Sequence, residues 1–505
     1  MDIKEQIFQT EGTQFPGVSY AKTVLSPAYD NAKTRLIHPM LSIHKAHLVM
    51  LVEQSIVPIE SASRIMRAID NVNVEAFQSS HYTGAYEDLF FAIEDQILQE
   101  AGELSGNLHI ARSRNDMGVA MYRMSLRESM MDVLHSIGEL QSTLLTVAES
   151  HAETITLGYT HTQQAQPMTL GHYLLAVHDS LSRDYKRLFA AFHACNHSPL
   201  GAAAITTTGF PINRHRVAEL LGFDGLVENS YDAIGGADYL QEITCALEIA
   251  LIDLGRYTQD FLLWSTREFG AVLVAAPYVQ ISSIMPQKRN PVSFEHIRAL
   301  ASSGVGECQV VLQMLHNTPF GDIVDSEDDL QPHLWRAMAL AADLFHLFGC
   351  VVGTLDVDKE KLVNRARESY ASITELADTL VRAHQMGFRT AHAVASQVVK
   401  LAMQANIPAY EISASIVKNA AEVVLGHDID ISDQEVAAAM DPVHFVEIRS
   451  LPGGPAPEEV RRMITARRLS LQSRHTELDH AAQYIHTKLR ELDQTAATWS
   501  REYDS

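Results

Sequence analysis

Cysteine, glycine and proline are all scarce in this sequence, and each shortage argues against a class of protein. The 505 residues include 4 cysteines, 26 glycines and 17 prolines. The cysteines lie far apart and form no Cys-x-x-Cys pair, which argues against a disulfide framework and a zinc ribbon and indicates free thiols. Few glycines and prolines, with many helix-forming residues, favour helix over sheet.

Positive charge is also in deficit. Lysine and arginine together number 39 against 62 acidic residues, which gives a formal net charge of −23. A surface this acidic repels nucleic acid and anionic lipid, so we predict neither nucleic acid nor membrane as a partner. It also repels an anionic substrate, so any site for such a substrate must be locally basic.

A long uninterrupted apolar run is missing. Membrane helices need about 18 or more apolar residues, and the longest candidate, around 338–355, contains Asp343 and His346 and is typical of a buried helix. Residues 1–5 show no basic region followed by an apolar run, so no secretory signal is visible. We therefore expect a cytoplasmic protein.

Helical periodicity dominates the rest of the chain. Apolar residues recur at three- and four-residue steps, which predicts long helices over 116–154, 170–193, 237–268, 291–315 and 333–352. Helices this long and this apolar need several neighbours, which indicates a bundle. We predict an all-α fold with three helical domains: 1–111, a central long-helix bundle over 112–365, and 366–505.

Four polar segments interrupt the long helices, at 107–116, 158–167, 229–233 and 282–291. Each is rich in the hydroxyl, amide or guanidinium groups that a dicarboxylate site needs. Taken alone, the 282–291 loop predicts only a polar turn before a helix that Pro291 starts.

Taken together and in this order, the segments resemble the aspartase/fumarase superfamily and, within it, the argininosuccinate lyases. The 282–291 loop is similar to the superfamily signature at its serines and at Met285, Pro286, Lys288, Asn290 and Pro291. Residues 112–116 are similar to the subgroup's own marker, and 158–167 is a third match. Further matches extend the resemblance over residues 100–465 or so.

The resemblance implies a β-elimination that breaks a C–N bond of a small dicarboxylate substrate and releases fumarate. Ser282 would be the general base, Lys288 would help hold the carboxylate that gains charge, and His161 would be oriented by Glu295. The residues implied in substrate binding are Arg112, Ser113, Asn115, Thr160, Ser283, Met285, Asn290 and, on the amine side, Asp329.

The resemblance also implies a homotetramer around a core of central helices, with each site shared between subunits. No cofactor and no metal site is predicted. His38, His44 and His47 cluster early, but their spacing need not converge, and no cysteine or carboxylate set joins them.

One departure from the family concerns the amine half of the substrate. The acidic segment, residues 320–329, holds no lysine and five carboxylates, namely Asp322, Asp325, Glu327, Asp328 and Asp329. A lysine there would bind the carboxylate of arginine, whereas an aspartate repels it and attracts an amine. Argininosuccinate is therefore one candidate substrate. A different N-substituted aspartate, of the kind that ethylenediamine-disuccinate (EDDS) lyase cleaves, is the other. A non-catalytic, crystallin-like relative is a third hypothesis, which the intact polar segments argue against.

Overall fold

The structure is a computed structural model that describes residues 2–502. It is 71% helical and 5% strand, which confirms the predicted all-α fold. The N-terminal part consists of short helices: α1 (Ile3–Glu11), α2 (Val18–Tyr20), α3 (Ser26–Arg35), α4 (Ile37–Glu53), α5 (Ile59–Asp70), α6 (Val74–Ser79) and α7 (Leu89–Ala101).

The middle of the chain carries the long helices that the periodicity predicts. Two short helices lie among them, and the bounds are α8 (Arg114–Ser150), α9 (Leu170–Cys195), α10 (Arg214–Leu220), α11 (Ser230–Gly235), α12 (Asp238–Trp264), α13 (Val292–Leu315) and α14 (Gln331–Gly353). The long helices begin and end within a few residues of the predicted patterns, because their apolar spacing reports the buried face directly.

Five of these helices, α8, α9, α12, α13 and α14, form the bundle. Successive helices run antiparallel: Tyr173 near the start of α9 bonds Asp260 near the end of α12, and Ser180 bonds Asp253 about two turns further in. Helix α14 returns parallel to α8, since contacts between them advance together along both helices. We call the end of the bundle that carries Ser113 the proximal end, and the opposite end the distal end.

The C-terminal part contains short helices and one very long one. The bounds are α15 (Lys359–Glu368), α16 (Ile373–His384), α17 (Phe388–Gln404), α18 (Ala414–Leu425), α19 (Asp433–Met440), α20 (Pro442–Glu447) and α21 (Pro457–Glu502). Helix α21 returns along α8, with Arg468 bonding Glu149, and it shares one hydrophobic core with the bundle and the N-terminal helices. Helices α16 to α19 enclose a separate core. The domain boundaries at 111 and 365 stay a prediction.

Short strands pair at the ends of the bundle. The longest pair is the antiparallel hairpin of β1 (Ile155–Thr160) and β2 (Gln163–Thr169), which links α8 to α9. The others are β3 (His197–Ser198) with β4 (Gly225–Leu226), β5 (Val272–Leu273) with β8 (Asp356–Val357), and β6 (Gln280–Ile281) with β7 (Arg289–Asn290).

One stretch, Val324–Gly353, is long and apolar enough to cross a membrane by length and composition. Half of its most apolar window is buried inside the protein, and a core helix of a soluble protein meets the same criterion. It coincides largely with α14, which packs against α8 and α13 in the bundle.

Candidate active site

The start of α8 organises the first predicted segment. Ser113 is the N-cap: its Oγ accepts a hydrogen bond from the backbone N–H of Asn115 at 3.3 Å, and Asp116 Oδ1 accepts one from the backbone N–H of Ser113 at 3.0 Å. Such a capping box follows from a serine with an acidic residue three positions later. The buried Asp116 also accepts from the backbone N–H groups of Gly201 and Ala203, at 2.9 and 3.0 Å. This ties the marker segment to the loop after β3.

The acidic segment folds against the same helix end. Asn115 Nδ2 donates to Asp322 Oδ2 at 2.8 Å, and the Tyr122 hydroxyl donates to Asp328 Oδ1 at 2.5 Å. Burial raises the pKa of Glu327 to about 8, helped by the hydrogen bond and charge of Asp322 and by the charge of Asp328. The carboxylates that the sequence places in one run thus crowd together beside a predicted substrate-binding amide.

The 229–233 segment packs against the acidic segment. Asn229 is the N-cap of α11, and its Oδ1 accepts from the backbone N–H of Tyr231 at 2.9 Å. The Tyr231 hydroxyl then donates to the carbonyl of Phe320 at 2.8 Å. Gly235 lies so close to Gly321 that a Cβ on it would sit 2.9 Å from the Gly321 nitrogen, so this approach requires glycine.

Arg112 points into the protein. Its side chain is 2% exposed, and its Nη2 lies 3.6 Å from Glu94. Its Nη1 lies 2.7 Å from the Nδ1 atom of the buried His44, and burial lowers the pKa of Arg112 to about 10. This departs from the expected open cationic side chain, because the segment before the Ser113 cap turns inward; a contact of Arg112 with substrate stays a prediction.

Of the early histidines, His44 and His47 belong to the same interior cluster, whereas His38 is exposed. His47 is buried with its Nε2 at 2.8 Å from the carbonyl of Ile110, and burial lowers its pKa to about 3. Between residues 2 and 502, no group of three or more His, Cys, Asp or Glu side chains is arranged to hold a metal ion. The two buried histidines therefore pack and position the marker segment.

Thr160 and His161 lie exposed at the distal end, at the tip of the β1–β2 hairpin. Thr160 pairs with Gln163, and the two residues between them, His161 and Thr162, have φ of 51° and 62°. Positive φ at both central positions is the type I′ turn, which normally takes Asn-Gly. For residues other than asparagine and glycine, a positive φ costs about 1–3 kcal/mol each, and backbone strain of this kind is common at functional sites.

The signature loop joins β6 to β7 at the distal end. Ser282 Oγ accepts hydrogen bonds from the backbone N–H groups of Ile284 and Met285, at 3.4 and 3.1 Å. Donors of this kind favour the deprotonated form of a group, which is what a serine base requires. The other predicted residues of this region are exposed or half-buried: Ser283, Met285, Lys288, Asn290 and, in the first turn of α13, Glu295.

The predicted residues are divided between the two ends of the bundle. Helix α8 has 37 residues, and at about 1.5 Å per residue its ends lie roughly 55 Å apart. Ser113, Asn115 and the acidic segment are at the proximal end, whereas His161 and Ser282 are at the distal end. Within residues 2–502, no hydrogen bond or ion pair joins the two groups. One copy of the chain therefore does not bring the two groups of predicted residues together.

Several residues near Asn115 lie outside the predicted site. Asp329 was predicted on the amine side and is exposed, whereas Asp322 and Asp328 contact α8. The available signal was the run of carboxylates, but which of them faces α8 depends on the tight turn at Val324–Ser326. Tyr122 carried no signal, because an aromatic residue within an apolar helix pattern is usually core.

Comparison with known proteins identifies the family of this chain. A family model described as lyase matches residues 41–306, and one described as argininosuccinate lyase C-terminal matches residues 370–447. Argininosuccinate lyase 2 of Agrobacterium fabrum is 39% identical over 98% of this chain and 99% of its own length. Argininosuccinate lyase of Methanothrix thermoacetophila is 37% identical over 89% of this chain and 91% of its own.

Solved structures give the same result. A crystal structure of EDDS lyase in complex with formate superposes with a TM-score of 0.87 at 30% identity, and covers 99% of both chains. A class II fumarase from Schistosoma mansoni has a TM-score of 0.68 at 16% identity over 87% of this chain and 94% of its own, a likeness in fold alone. The chain therefore belongs to the fumarate-releasing lyases of the aspartase/fumarase superfamily, in the argininosuccinate lyase subgroup.

Proposed function

We propose that this enzyme cleaves argininosuccinate into fumarate and arginine by reversible β-elimination. The observation that carries the elimination is the Ser282 hydroxyl, which accepts two backbone hydrogen bonds in a loop that also holds Lys288 and Asn290. The relatives named argininosuccinate lyase, similar over nearly the whole chain, support the choice of substrate.

The reaction begins with removal of a weakly acidic proton from the carbon next to a carboxylate. Ser282 takes this proton, and Lys288 and Asn290 stabilise the extra charge that the carboxylate gains. The nitrogen on the neighbouring carbon then leaves with the electron pair of the C–N bond. Four further side chains bind the carboxylates of the succinyl half, namely Ser113, Asn115, Thr160 and Ser283, while Met285 packs against it.

His161 and Glu295 form the second functional pair of the proposal. A carboxylate beside an imidazole orients the ring and raises its pKa. Both side chains are exposed in the single chain, so each is free to meet the other across a subunit boundary. His161 then binds a substrate carboxylate or protonates the leaving nitrogen.

We also propose a homotetramer in the cytoplasm. The separation of the site residues along α8 supports shared sites, and the bundle exposes apolar side chains that a second bundle can cover: Ile249, Ile252 and Leu263 on α12, and Leu300 and Val310 on α13. Four free cysteines fit a reducing compartment.

A second candidate substrate is an N-substituted aspartate with a cationic amine half. The observation that favours it is the hydrogen bond of Asp322 to Asn115, which places a carboxylate of the acidic segment beside the succinyl-binding residues. EDDS lyase, similar over 99% of both chains, supports the comparison.

Turnover of the two compounds separates the candidates. Purified enzyme is incubated with argininosuccinate and, separately, with ethylenediamine-disuccinate, and fumarate is followed by its absorbance. Saturable turnover of argininosuccinate with the larger kcat/KM is expected. A larger kcat/KM for the diamine compound would replace argininosuccinate by the second candidate.

A further inference from the structure

A thiol, an imidazole and a carboxylate lie next to one another near the C-terminal end of α14, and none of them is among the residues of the proposed elimination. Cys350 Sγ lies 3.6 Å from His346 Nε2, one helical turn away. His346 Nδ1 lies 3.2 Å from Glu139 Oε2 on the neighbouring α8. The imidazole and the carboxylate are 63% and 66% exposed, and Cys350 is half-buried.

This geometry selects the tautomer of the imidazole. With Nδ1–H donating to the Glu139 carboxylate, Nε2 carries the lone pair and faces the thiol. Transfer of the thiol proton to Nε2 gives a thiolate beside an imidazolium, and the Glu139 carboxylate stabilises that imidazolium. A nucleophile, a base and a group that orients the base are the elements of an activated cysteine.

Tyr278 adds a second polar group to the thiol. It lies next to the Cys350 sulfur, and burial followed by the charge and hydrogen bonding of Cys350 raises the pKa of Tyr278. A phenol that keeps its proton at this position can donate to the sulfur and so favour the deprotonated thiol.

The other cysteines have different surroundings. Cys195 and Cys308 are buried, and burial raises their thiol pKa to about 11 and about 12. Both thiols therefore stay protonated at neutral pH and are unreactive. Cys245 is exposed on α12.

We propose that Cys350 is a nucleophilic modification site that adds to alkenes conjugated with a carboxyl group, with fumarate as the electrophile that the enzyme itself releases. Sγ forms a bond to one alkene carbon, the π electron pair moves to the other carbon, and that carbon takes the proton from His346 Nε2. The product is an S-succinyl thioether, and no oxidant or reductant is consumed. The choice of fumarate rests on the proposed function, whereas the reactivity of the thiol does not.

Timed labelling followed by peptide mass spectrometry tests the proposal. The intact enzyme is treated in one arm with N-ethylmaleimide and in the other with fumarate, and modification of Cys350 is followed with time. Three variants are compared with the parent: His346→Gln, Glu139→Gln and Tyr278→Phe. Denatured protein gives the intrinsic rate of each peptide, and circular dichroism checks the fold.

Cys350 in the parent is expected to react with N-ethylmaleimide about ten-fold faster than in His346→Gln, because the variant lacks the base that takes the thiol proton. The Glu139→Gln and Tyr278→Phe variants are expected to fall between the two. An S-succinyl adduct on Cys350 is expected in the fumarate arm. Equal rates in the parent and His346→Gln, or no labelling in the native assembly, would overturn the activated thiol. Fast maleimide labelling without a fumarate adduct would overturn the assigned electrophile while leaving the elimination itself untouched.

Discussion

Individual side chains in this enzyme take their chemistry from their immediate surroundings. Ser282 is a weak base in water, but two backbone N–H groups donate to its oxygen. Glu327 would be ionised at neutral pH in water, but burial and two neighbouring carboxylates, Asp322 and Asp328, keep its proton in place. Two predictions follow from these local environments.

Replacing Ser282 by alanine is expected to lower kcat by roughly 10²–10⁴-fold, the usual contribution of a positioned base. Ser282 lies half-buried in a loop, so the substitution is expected to leave the fold intact, which circular dichroism checks. Ser283→Ala is the matched control: it keeps the 282 hydroxyl and is expected to raise KM more than it lowers kcat. Near-normal kcat in Ser282→Ala would refute the assignment of the base.

Glu327 makes stability depend on pH in a defined direction. Its pKa is raised from 4.5 to about 8 in the folded state, so between these values the folded chain binds more protons than the unfolded chain, and the free energy of unfolding falls as pH rises. Glu327→Gln removes this titration. The variant is therefore expected to gain thermal stability over the parent as pH rises from about 5 to about 8.5.

Thermal unfolding of both proteins at the two pH values measures the effect. Glu422→Gln, at an exposed position on α18, is the matched control and is expected to track the parent. A difference between Glu327→Gln and the parent that stays constant or shrinks with rising pH would contradict the raised pKa of Glu327.

At the scale of elements, the N-terminus of α8 depends on one buried carboxylate. Asp116 completes the capping box with Ser113 and accepts hydrogen bonds from two backbone N–H groups of the 201–203 loop. It thereby sets the angle at which the marker segment enters the helix, and with it the position of Asn115.

Asp116→Ala would leave three half-buried backbone N–H groups without their carboxylate partner. A fully buried unpaired donor costs about 1–3 kcal/mol, and these three are only partly buried, so the free energy of unfolding is expected to fall by about 1–3 kcal/mol in all. Chemical denaturation measures it. Asp132→Ala, at an exposed position on the same helix, is the control and is expected to change stability by less than about 0.5 kcal/mol. Equal effects of the two variants would mean that the cap contributes little.

At the scale of the whole molecule, the length of α8 separates the two groups of proposed site residues. Its ends are roughly 55 Å apart, and Asn115 and His161 lie at opposite ends. Subunits that pack with their bundles antiparallel bring the proximal end of one to the distal end of another. A closed symmetric assembly of this kind repeats the same composite site at every boundary.

Shared sites predict complementation between two inactive variants. Asn115→Ala and Ser282→Ala, each inactive alone, are unfolded together and refolded as a mixture. Random assortment leaves both segments intact in roughly a quarter of the sites, so roughly a quarter of the parent activity is expected. Each variant refolded alone is the control. Mixed enzyme that stays as inactive as the separate variants would show that the two segments do not share a site.

Much of the architecture follows from local pattern, because helix formation and burial of one face depend on residues three and four apart. The bundle helices were therefore predictable, whereas the fumarate-releasing chemistry was predicted from the resemblance of the polar segments to the family. The β1–β2 hairpin was not predicted as a strand pair, since His161-Thr162 lacks the glycine or asparagine that normally marks such a turn. Similarly, spacing did not reveal that Arg112 turns toward His44.

The sequence by itself determined the helical class, the places where the helices break, and the polar groups set at those breaks, since all of these depend on nearest neighbours along the chain. Only the tertiary structure decided which breaks meet. It brought Asn115 to Asp322 across 207 positions in sequence, and it kept His161 and Ser282 at the far end of a 37-residue helix. The physical reason is that a helix is rigid and keeps its two ends a fixed distance apart, whereas contacts between helices depend on how the whole bundle packs.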